Sequence, residues 1–158
     1  MGYAPQQAVL FTGTVRSNVS YASDDIEEKV RKAVRIAQAE EFVSQMDGDI
    51  DADVTRGGTN VSGGQKQRLS VARAVYREPE FYIFDDTFSA LDYKTDRVLR
   101  NTLKKETSDG VYVALFPYSP TGYMHFTVTG SRGTYAGMAK ASLKAGRYYP
   151  ATLKLTRQ

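Results

Sequence analysis

The chain lacks several features that would narrow its function at once. Its 158 residues include no cysteine, which excludes a disulfide framework and thiol chemistry. No apolar run approaches the roughly 18–20 residues needed to cross a bilayer, and no secretory signal precedes the first motif. We therefore expect a cytoplasmic chain of one domain or two small ones, without direct membrane insertion, which reaches a membrane only through a partner.

Acidic residues are almost missing from the last third of the chain. Residues 1–108 carry 15 basic and 17 acidic side chains, whereas residues 109–158 carry six basic and one acidic. This shift predicts a boundary near residues 108–110, with one unit at 1–108 and a β-rich unit of different origin at 109–158. A basic tail can indicate nucleic acid as a partner. Its cations are spread singly, however, so we expect no nucleic acid.

The most informative stretch is residues 60–92, where a glycine pair precedes a helix. Ser62 lies three residues before Gln65, which is the spacing of a capping box. Gly63 and Gly64 have no β-carbon, so an anion can approach their backbone closely. Free N–H groups and the helix dipole favour negative charge at such a position. The pattern predicts a phosphate-binding helix start, and the alternative is a well-capped helix after a glycine turn.

Further along the same stretch, residues 81–84 form a short apolar run bounded by Pro79 and two aspartates. The run predicts a buried parallel strand. Ligands of open α/β sheets bind at the carboxyl ends of such strands, so Asp85 is placed to hold Mg²⁺ through water. Asp86 follows it directly. The alternative is that the two aspartates only cap a turn.

Apolar residues at helical spacing predict a set of helices around these motifs. Ser23 is expected to cap a helix with the ion pairs Glu27–Arg31 and Glu28–Lys32 on its outer face. Four aspartates within residues 47–53 are interpreted as a solvated loop, because the glycine and closing glutamate of a Ca²⁺ loop are missing. Further helices are predicted at residues 40–46, 65–77 and 89–105. The second of these places Leu69, Ala72 and Tyr76 on one side, and in the third Leu91, Val98, Leu99 and Leu103 can face the sheet.

In order and spacing, these motifs resemble the nucleotide-binding domain of ABC transporters over about residues 2–108. The resemblance makes residues 61–65 the signature motif, residues 81–86 the Walker B strand and residues 89–92 the D-loop, and it implies a short helix at residues 14–21. It also makes Gln6 the glutamine of the Q-loop, which in the family contacts Mg²⁺ and the attacking water. The nucleotide-binding residues that it implies are Ser62, Gly63, Gly64, Gln65 and Asp92.

Asp86 stands where the family usually has a glutamate that positions or deprotonates the attacking water. Aspartate is one methylene shorter, and catalysis of this kind is mostly positioning and electrostatics. The departure therefore resembles the degenerate ATP site of heterodimeric ABC exporters. The catalytic residues implied are Asp86 and Gln6, and the metal ligands implied are Asp85 and Gln6.

The chain contains no G-x-x-x-x-G-K-[ST] pattern and so supplies no P-loop. The resemblance then implies ATP and Mg²⁺ as cofactors only in a complex whose partner contributes a P-loop. It implies a chain that is inactive alone, and a strand at residues 81–84 with an unpaired apolar edge. The implied partners are a second nucleotide-binding domain and a transmembrane domain, at the cytoplasmic face of the cell membrane.

The tail of the chain shows a different pattern, in which apolar residues alternate between glycines. The alternation predicts strands at residues 111–116, 123–129 and 148–156, with His125 as a strand residue. A right-handed crossover after the last helix would pair residues 111–116 parallel to residues 81–84. The later strands would follow antiparallel, with Pro150 at an edge or bulge.

The predicted fold class is α/β: a partial ABC-type ATPase domain with a helical signature subdomain, joined to an antiparallel β-rich C-terminal segment. The expected function is a fragment of an exporter's ATP-binding subunit, which gives its signature motif to a partner's ATP and couples ATP hydrolysis to transport. The tail, with its run at residues 145–149, resembles the final strands of fimbrillin-like domains of cell-surface adhesins. The alternatives are therefore a non-enzymatic hybrid or structural module, and an artificial fold built from two unrelated halves.

Overall fold

The computed structural model describes residues 2–21, 23–79, 81–107, 111–115, 123–130, 133–140 and 156–157. The strands are β1 (Gly2–Ala4), β2 (Gly13–Thr14), β3 (Asp53–Val54), β4 (Phe81–Asp85), β5 (Val111–Leu115), β6 (Tyr123–Gly130), β7 (Gly133–Lys140) and β8 (Thr156–Arg157). The helices are α1 (Val15–Ser20), α2 (Glu27–Ile36), α3 (Glu40–Ser44), α4 (Gly63–Tyr76) and α5 (Tyr93–Glu106), with 3₁₀ turns at Asp49–Asp51 and Arg56–Gly58.

One six-stranded sheet runs through the described residues in the order β1-β4-β5-β6-β7-β8. Its first three strands are parallel: β1 pairs with β4, and β4 pairs with β5 from Phe81 opposite Val111 to Asp85 opposite Leu115. Strands β6, β7 and β8 continue the sheet antiparallel. The predicted parallel pairing of the first tail strand with β4 is confirmed, as is the antiparallel arrangement that follows it.

Strand β4 has a neighbour on both sides, so the expectation of an unpaired apolar edge was wrong. The second neighbour is β1, which sequence patterning did not reveal because it is only three residues long. Its first residue must be small: a Cβ at Gly2 would lie 2.2 Å from the carbonyl oxygen of Ala74 in α4. Strand β1 therefore pairs with β4 and packs closely against the backbone of α4.

Helix α4 packs against α1, α2 and β1 and carries the centre of the core. Its start confirms the predicted capping box. The N–H of Gln65 donates to Ser62 Oγ at 3.3 Å, and the N–H of Ser62 donates to Gln65 Oε1 at 2.8 Å. The side chains predicted to share one side of this helix are all buried, namely Leu69, Ala72 and Tyr76.

The start of α2 differs from the prediction. The helix begins at Glu27 after Ile26, with no side-chain cap, so Ser23 is not its N-cap. Instead, the N–H of Ser23 donates to the carbonyl of Ser20 in a turn that ends α1. The Glu27–Arg31 ion pair is confirmed at 2.9 Å.

The second ion pair predicted on α2 was wrong. Lys32 Nζ lies 2.6 Å from Glu78 Oε1, beyond the end of α4, rather than pairing with Glu28 along its own helix. Lys32 thus links α2 to the residues that follow α4, and the packing of these two helices brings Glu78 within its reach.

Helix α5 begins four residues later than predicted, at Tyr93. Asp92 caps it by accepting from the N–H of Thr95 at 3.0 Å, and the residues before it form turns. An aspartate at this position favours the cap over a helix interior. Leu99 and Leu103 are buried as predicted, but Val98 is 41% exposed.

The acidic segment at residues 47–53 is tied to arginines. Asp49 accepts from Arg31 at 2.7 Å and Asp51 from Arg16 at 2.6 Å, while Asp47 and Asp53 are exposed. Among the described residues, no group of three or more acidic or histidine side chains could hold a metal ion.

The tail contributes a hairpin whose second strand was not predicted. Strands β6 and β7 pair from Tyr123 opposite Lys140 to Gly130 opposite Gly133. His125 is a strand residue, as expected. Of the strand predicted at residues 148–156, only Thr156 is described, and Pro150 lies outside the described residues. No helix among the described ranges is both long and apolar enough to span a membrane.

Candidate functional site

The carboxyl end of β4 brings two of the predicted site residues together. Gln6 follows β1, and its Nε2 donates to Asp86 Oδ2 at 3.1 Å. The hydroxyl of Tyr3 donates to Asp85 Oδ2 at 3.3 Å. Because β1 and β4 are parallel and in register, the residues that follow them emerge at the same edge of the sheet. Both aspartates therefore receive a hydrogen bond from the β1 segment.

Tyr3 was missed by the sequence reasoning, because an aromatic residue in a three-residue strand carries no pattern of its own. Burial raises the pKa of its phenol, and the charge and hydrogen bond of Asp85 raise it further. The hydroxyl is thus held protonated as a donor to the carboxylate across the physiological pH range. It orients one oxygen of Asp85 and leaves the other available.

Asp86 has an unusual backbone conformation, with φ of +42°. A non-glycine residue in this left-handed region is uncommon, although aspartate tolerates it better than most residues do. The turn is held by Ser89, whose Oγ donates to the Asp86 carbonyl at 2.9 Å. Thr87, fully buried, donates from Oγ1 to the carbonyl of Ala4 at 2.7 Å.

The start of α4 leaves two backbone donors without a helical acceptor. The first four N–H groups of a helix end have no partner within the helix. Here the cap residue Ser62 and Gln65 satisfy each other, and the N–H of Lys66 donates to the carbonyl of Ser62. The N–H groups that the capping box does not use belong to Gly63 and Gly64.

The two glycines differ in the space around them. A Cβ at Gly63 would meet nothing within 4 Å, whereas a Cβ at Gly64 would lie 3.3 Å from the carbonyl oxygen of Ala90. The space that a side chain at the first glycine would occupy is thus open. The second packs against the segment predicted as the D-loop.

Asp92 and Gln65 both take part in capping helices. Asp92 caps α5, and its hydrogen bond from Thr95 lowers the pKa of its carboxyl. Gln65 is half of the capping box of α4. Their predicted contacts with nucleotide stay predictions.

The donor set fits Mg²⁺ in part. Mg²⁺ usually takes one or two carboxylates and fills its remaining positions with water and phosphate oxygens. Asp85, with one oxygen fixed by Tyr3, supplies such a carboxylate, whereas Gln6 contacts the next residue, Asp86. Proteins that hold ATP this way need a phosphate cradle as well, which the sequence does not contain.

The fold and the site together define a class of α/β protein. In this class acidic side chains follow a parallel strand, and a helix that begins with glycines has unused backbone N–H groups at its start. The family model described as ABC transporter matches residues 1–89, more than half of the chain. The chain belongs to the ABC transporter family. Proteins of this family use ATP and Mg²⁺, and exporters are among the relatives of this chain.

Two curated relatives and one solved structure illustrate the likeness. An uncharacterized ABC transporter ATP-binding protein of Mycobacterium tuberculosis is 43% identical over 119 residues, covering 73% of this chain and 20% of the relative. P-glycoprotein 14 of Caenorhabditis elegans is 38% identical over 106 residues, covering 66% of this chain and 8% of the relative. A bacterial Atm1-family ABC exporter, solved with ATP bound, aligns with a TM-score of 0.67 and 30% identity over 72% of this chain and 20% of its own. The chain therefore spans a fifth or less of these relatives.

Proposed function

We propose that this chain is part of the ATP-binding subunit of an ABC exporter and that it presents its signature motif to ATP held by a partner. The observation that carries the proposal is the start of α4. Its two unused N–H groups belong to Gly63 and Gly64, and the space beside Gly63 is open. Backbone donors at the positive end of a 14-residue helix favour a phosphate.

The partner in this proposal is a second nucleotide-binding domain that supplies a P-loop. A transmembrane domain would join both at the cytoplasmic face of the membrane. The similarity to exporters supports this assignment. The γ-phosphate would lie between the partner's P-loop and Ser62, Gly63 and Gly64, and Asp92 would approach from the adjacent segment.

The groups at the end of β4 have a separate task in the proposal. Asp85 would hold Mg²⁺, while Gln6 and Asp86 would orient water. When bound, the metal would neutralise phosphate charge. The hydrogen bonds from Tyr3 and Gln6 support this assignment, because they fix the two carboxylates in neighbouring places. With an aspartate at position 86, we propose that this site is the degenerate one of a heterodimer.

The tail, from about residue 109 onwards, is proposed to be a unit of separate origin that completes the sheet. The parallel pairing of β5 with β4 supports this role. Amide hydrogen exchange tests it: residues 111–115 should exchange as slowly as β4. Fast exchange confined to residues 111–115 would show that the tail does not cover β4 in solution.

The signature role is tested by ATP-dependent association with a complete nucleotide-binding domain whose own hydrolysis is blocked. Gly63→Asp is the sharpest variant. An acidic residue in the first turn suits the helix dipole, and its Cβ would meet no atom within 4 Å, so the fold should be kept while phosphate is repelled. Gly63→Asn separates crowding from charge. Ser62→Arg and Gly64→Asp should also break the association.

The matched control is Ser44→Arg, which makes the same substitution as Ser62→Arg at an exposed position on α3. It should associate like the wild type. If Gly63→Asp, Ser62→Arg and Gly64→Asp all associate with the partner as strongly as the control does, the chain does not contribute a signature motif.

A further inference from the structure

The segment that carries Gln6 is attached to α4 at both of its ends. Nε2 of Gln67 donates to the carbonyl of Pro5 at 2.7 Å, and Nη1 of Arg73 donates to the carbonyl of Val9 at 2.9 Å. Gln67 is only 2% exposed, so its amide has no ready exchange with water. Gln6 therefore lies in a short span of backbone whose two anchors belong to one helix.

The first anchor extends a longer contact between β1 and α4. Gly2 lies against Ala74, and Pro5 lies against Gln67. Gln67 and Ala74 are about 10 Å apart along the helix axis at ~1.5 Å per residue. Gly2 and Pro5 are also about 10 Å apart at ~3.3 Å per residue. The two elements thus run antiparallel with matched lengths, and Gln67 is the contact nearest the Gly63 end.

We infer that Gln67 is a positioning residue: its hydrogen bond to Pro5 holds Gln6 against Asp86 and links that contact to the start of α4. This inference rests on the proposed function, because the link matters only if phosphate binds at Gly63. A displacement of the helix start would then be passed through one buried amide to the Gln6–Asp86 pair, which lies at the end of another strand.

Pro5 can be held by a backbone hydrogen bond only through its carbonyl, because proline has no N–H. The preceding carbonyl, of Ala4, accepts from the hydroxyl of the buried Thr87. Two side chains from different motifs thus fix consecutive carbonyls immediately before Gln6. Thr87 ties the segment to the turn after β4, and Gln67 ties it to the signature helix.

The test measures the side-chain amide resonances of Gln6 by nuclear magnetic resonance in the full chain. Gln6→Met assigns them by their loss, and Asp86→Ala gives their position without the Asp86 contact. Gln67→Met keeps the side-chain volume and removes the donor. It should move the Gln6 resonances to their position in Asp86→Ala. Gln67→Asn, which withdraws the amide by one methylene, is a milder second variant and should move them in the same direction.

The control is Ser70→Ala, which removes a buried polar side chain one turn further along α4. It should leave the Gln6 resonances unchanged. Wild-type positions of these resonances in either folded Gln67 variant would overturn the inference. The measurement needs neither ATP nor a partner, so it can fail while the signature-motif proposal stands. Equally, if the signature-motif variants still associate with the partner, a positive result in this measurement would stand.

Discussion

Arg73 binds Asn18 through two separate hydrogen bonds. Its Nε donates to the backbone carbonyl of Asn18 at 2.7 Å, and its Nη2 donates to Asn18 Oδ1 at 2.9 Å. The guanidinium also lies over the rings of Phe11 and Tyr21, which stack with centroids 4.8 Å apart. Burial lowers the pKa of this guanidinium, so its hydrogen bonds compensate for lost solvation.

Replacing Arg73 with lysine should destabilise the fold. Lysine keeps the charge but cannot reach several acceptors with a planar fork. We expect a loss of about 2 kcal/mol in the free energy of unfolding, since hydrogen bonds to charged groups contribute about 1.5–3 kcal/mol each. Urea unfolding measures it. Arg97→Lys, at an exposed position on α5, is the control and should stay within about 0.5 kcal/mol of wild type.

Two glycine-to-alanine substitutions should have opposite effects. Gly2→Ala forces a methyl group against the carbonyl of Ala74 at 2.2 Å and Pro79 at 2.9 Å. It should cost about 1–3 kcal/mol, as overpacking does. Gly63→Ala meets nothing within 4 Å and should be neutral or stabilising by up to about 1 kcal/mol. Thermal unfolding of the two variants compares them directly, and equal effects would contradict the close packing of β1 on α4.

The isolated chain should hydrolyse ATP no faster than background. The phosphate cradle and its lysine are absent from the sequence, and hydrolysis of this kind depends on positioning the phosphates. Steady-state phosphate release is the measurement. Turnover that Asp85→Ala abolishes would show that the chain holds ATP by itself, and the partner-dependent proposal would then be wrong.

Acid should weaken the contact between α1, α2 and the acidic turn. A hydrogen bond from Arg16 lowers the pKa of Asp51 below its ordinary 3.8. Hydrogen bonds from Arg31 and then Arg16 lower that of Glu27 below 4.5. Because the folded pKa values are depressed, the stabilisation is present above about pH 4.5 and is lost as the pH falls through the folded values.

Arg16→Met tests this pH effect, and Arg97→Met is its matched control. The free energy of unfolding is measured by urea titration at several pH values between roughly 6 and 3, where carboxylates titrate. Arg16→Met should flatten the decline on acidification, and Arg97→Met should not. Because both carboxylates are exposed, added salt should reduce the difference. An unchanged decline in Arg16→Met would contradict the assignment.

The sequence predicted elements that carry their own local signal. The capping box at Ser62, the apolar run of β4 and the alternation of β5 and β6 each depend on residues near one another in the chain, and all three are present. The pairing of β5 with β4 was also predictable, because a strand that follows a crossover helix tends to lie parallel beside the first strand.

Contacts between distant residues could not be predicted. Strand β1 is too short for periodicity, and its place depends on the close approach of Gly2 to Ala74. Lys32 pairs with Glu78, 46 positions away, in preference to its helical neighbour. Tyr3 and Gln67 act through partners more than 60 positions away. No local sequence pattern predicts these contacts, because each depends on which surfaces meet after folding.

The left-handed backbone at Asp86 bears on how this position can change during evolution. A glutamate there would extend the carboxylate by one methylene, but a longer side chain tolerates a φ of +42° less well than aspartate does, in a region that costs L-residues about 1–2 kcal/mol. The effect of Asp86→Glu is therefore coupled to the shape of the turn held by Ser89 and Thr87. Mutations that relax this turn would change how well a glutamate is tolerated at position 86.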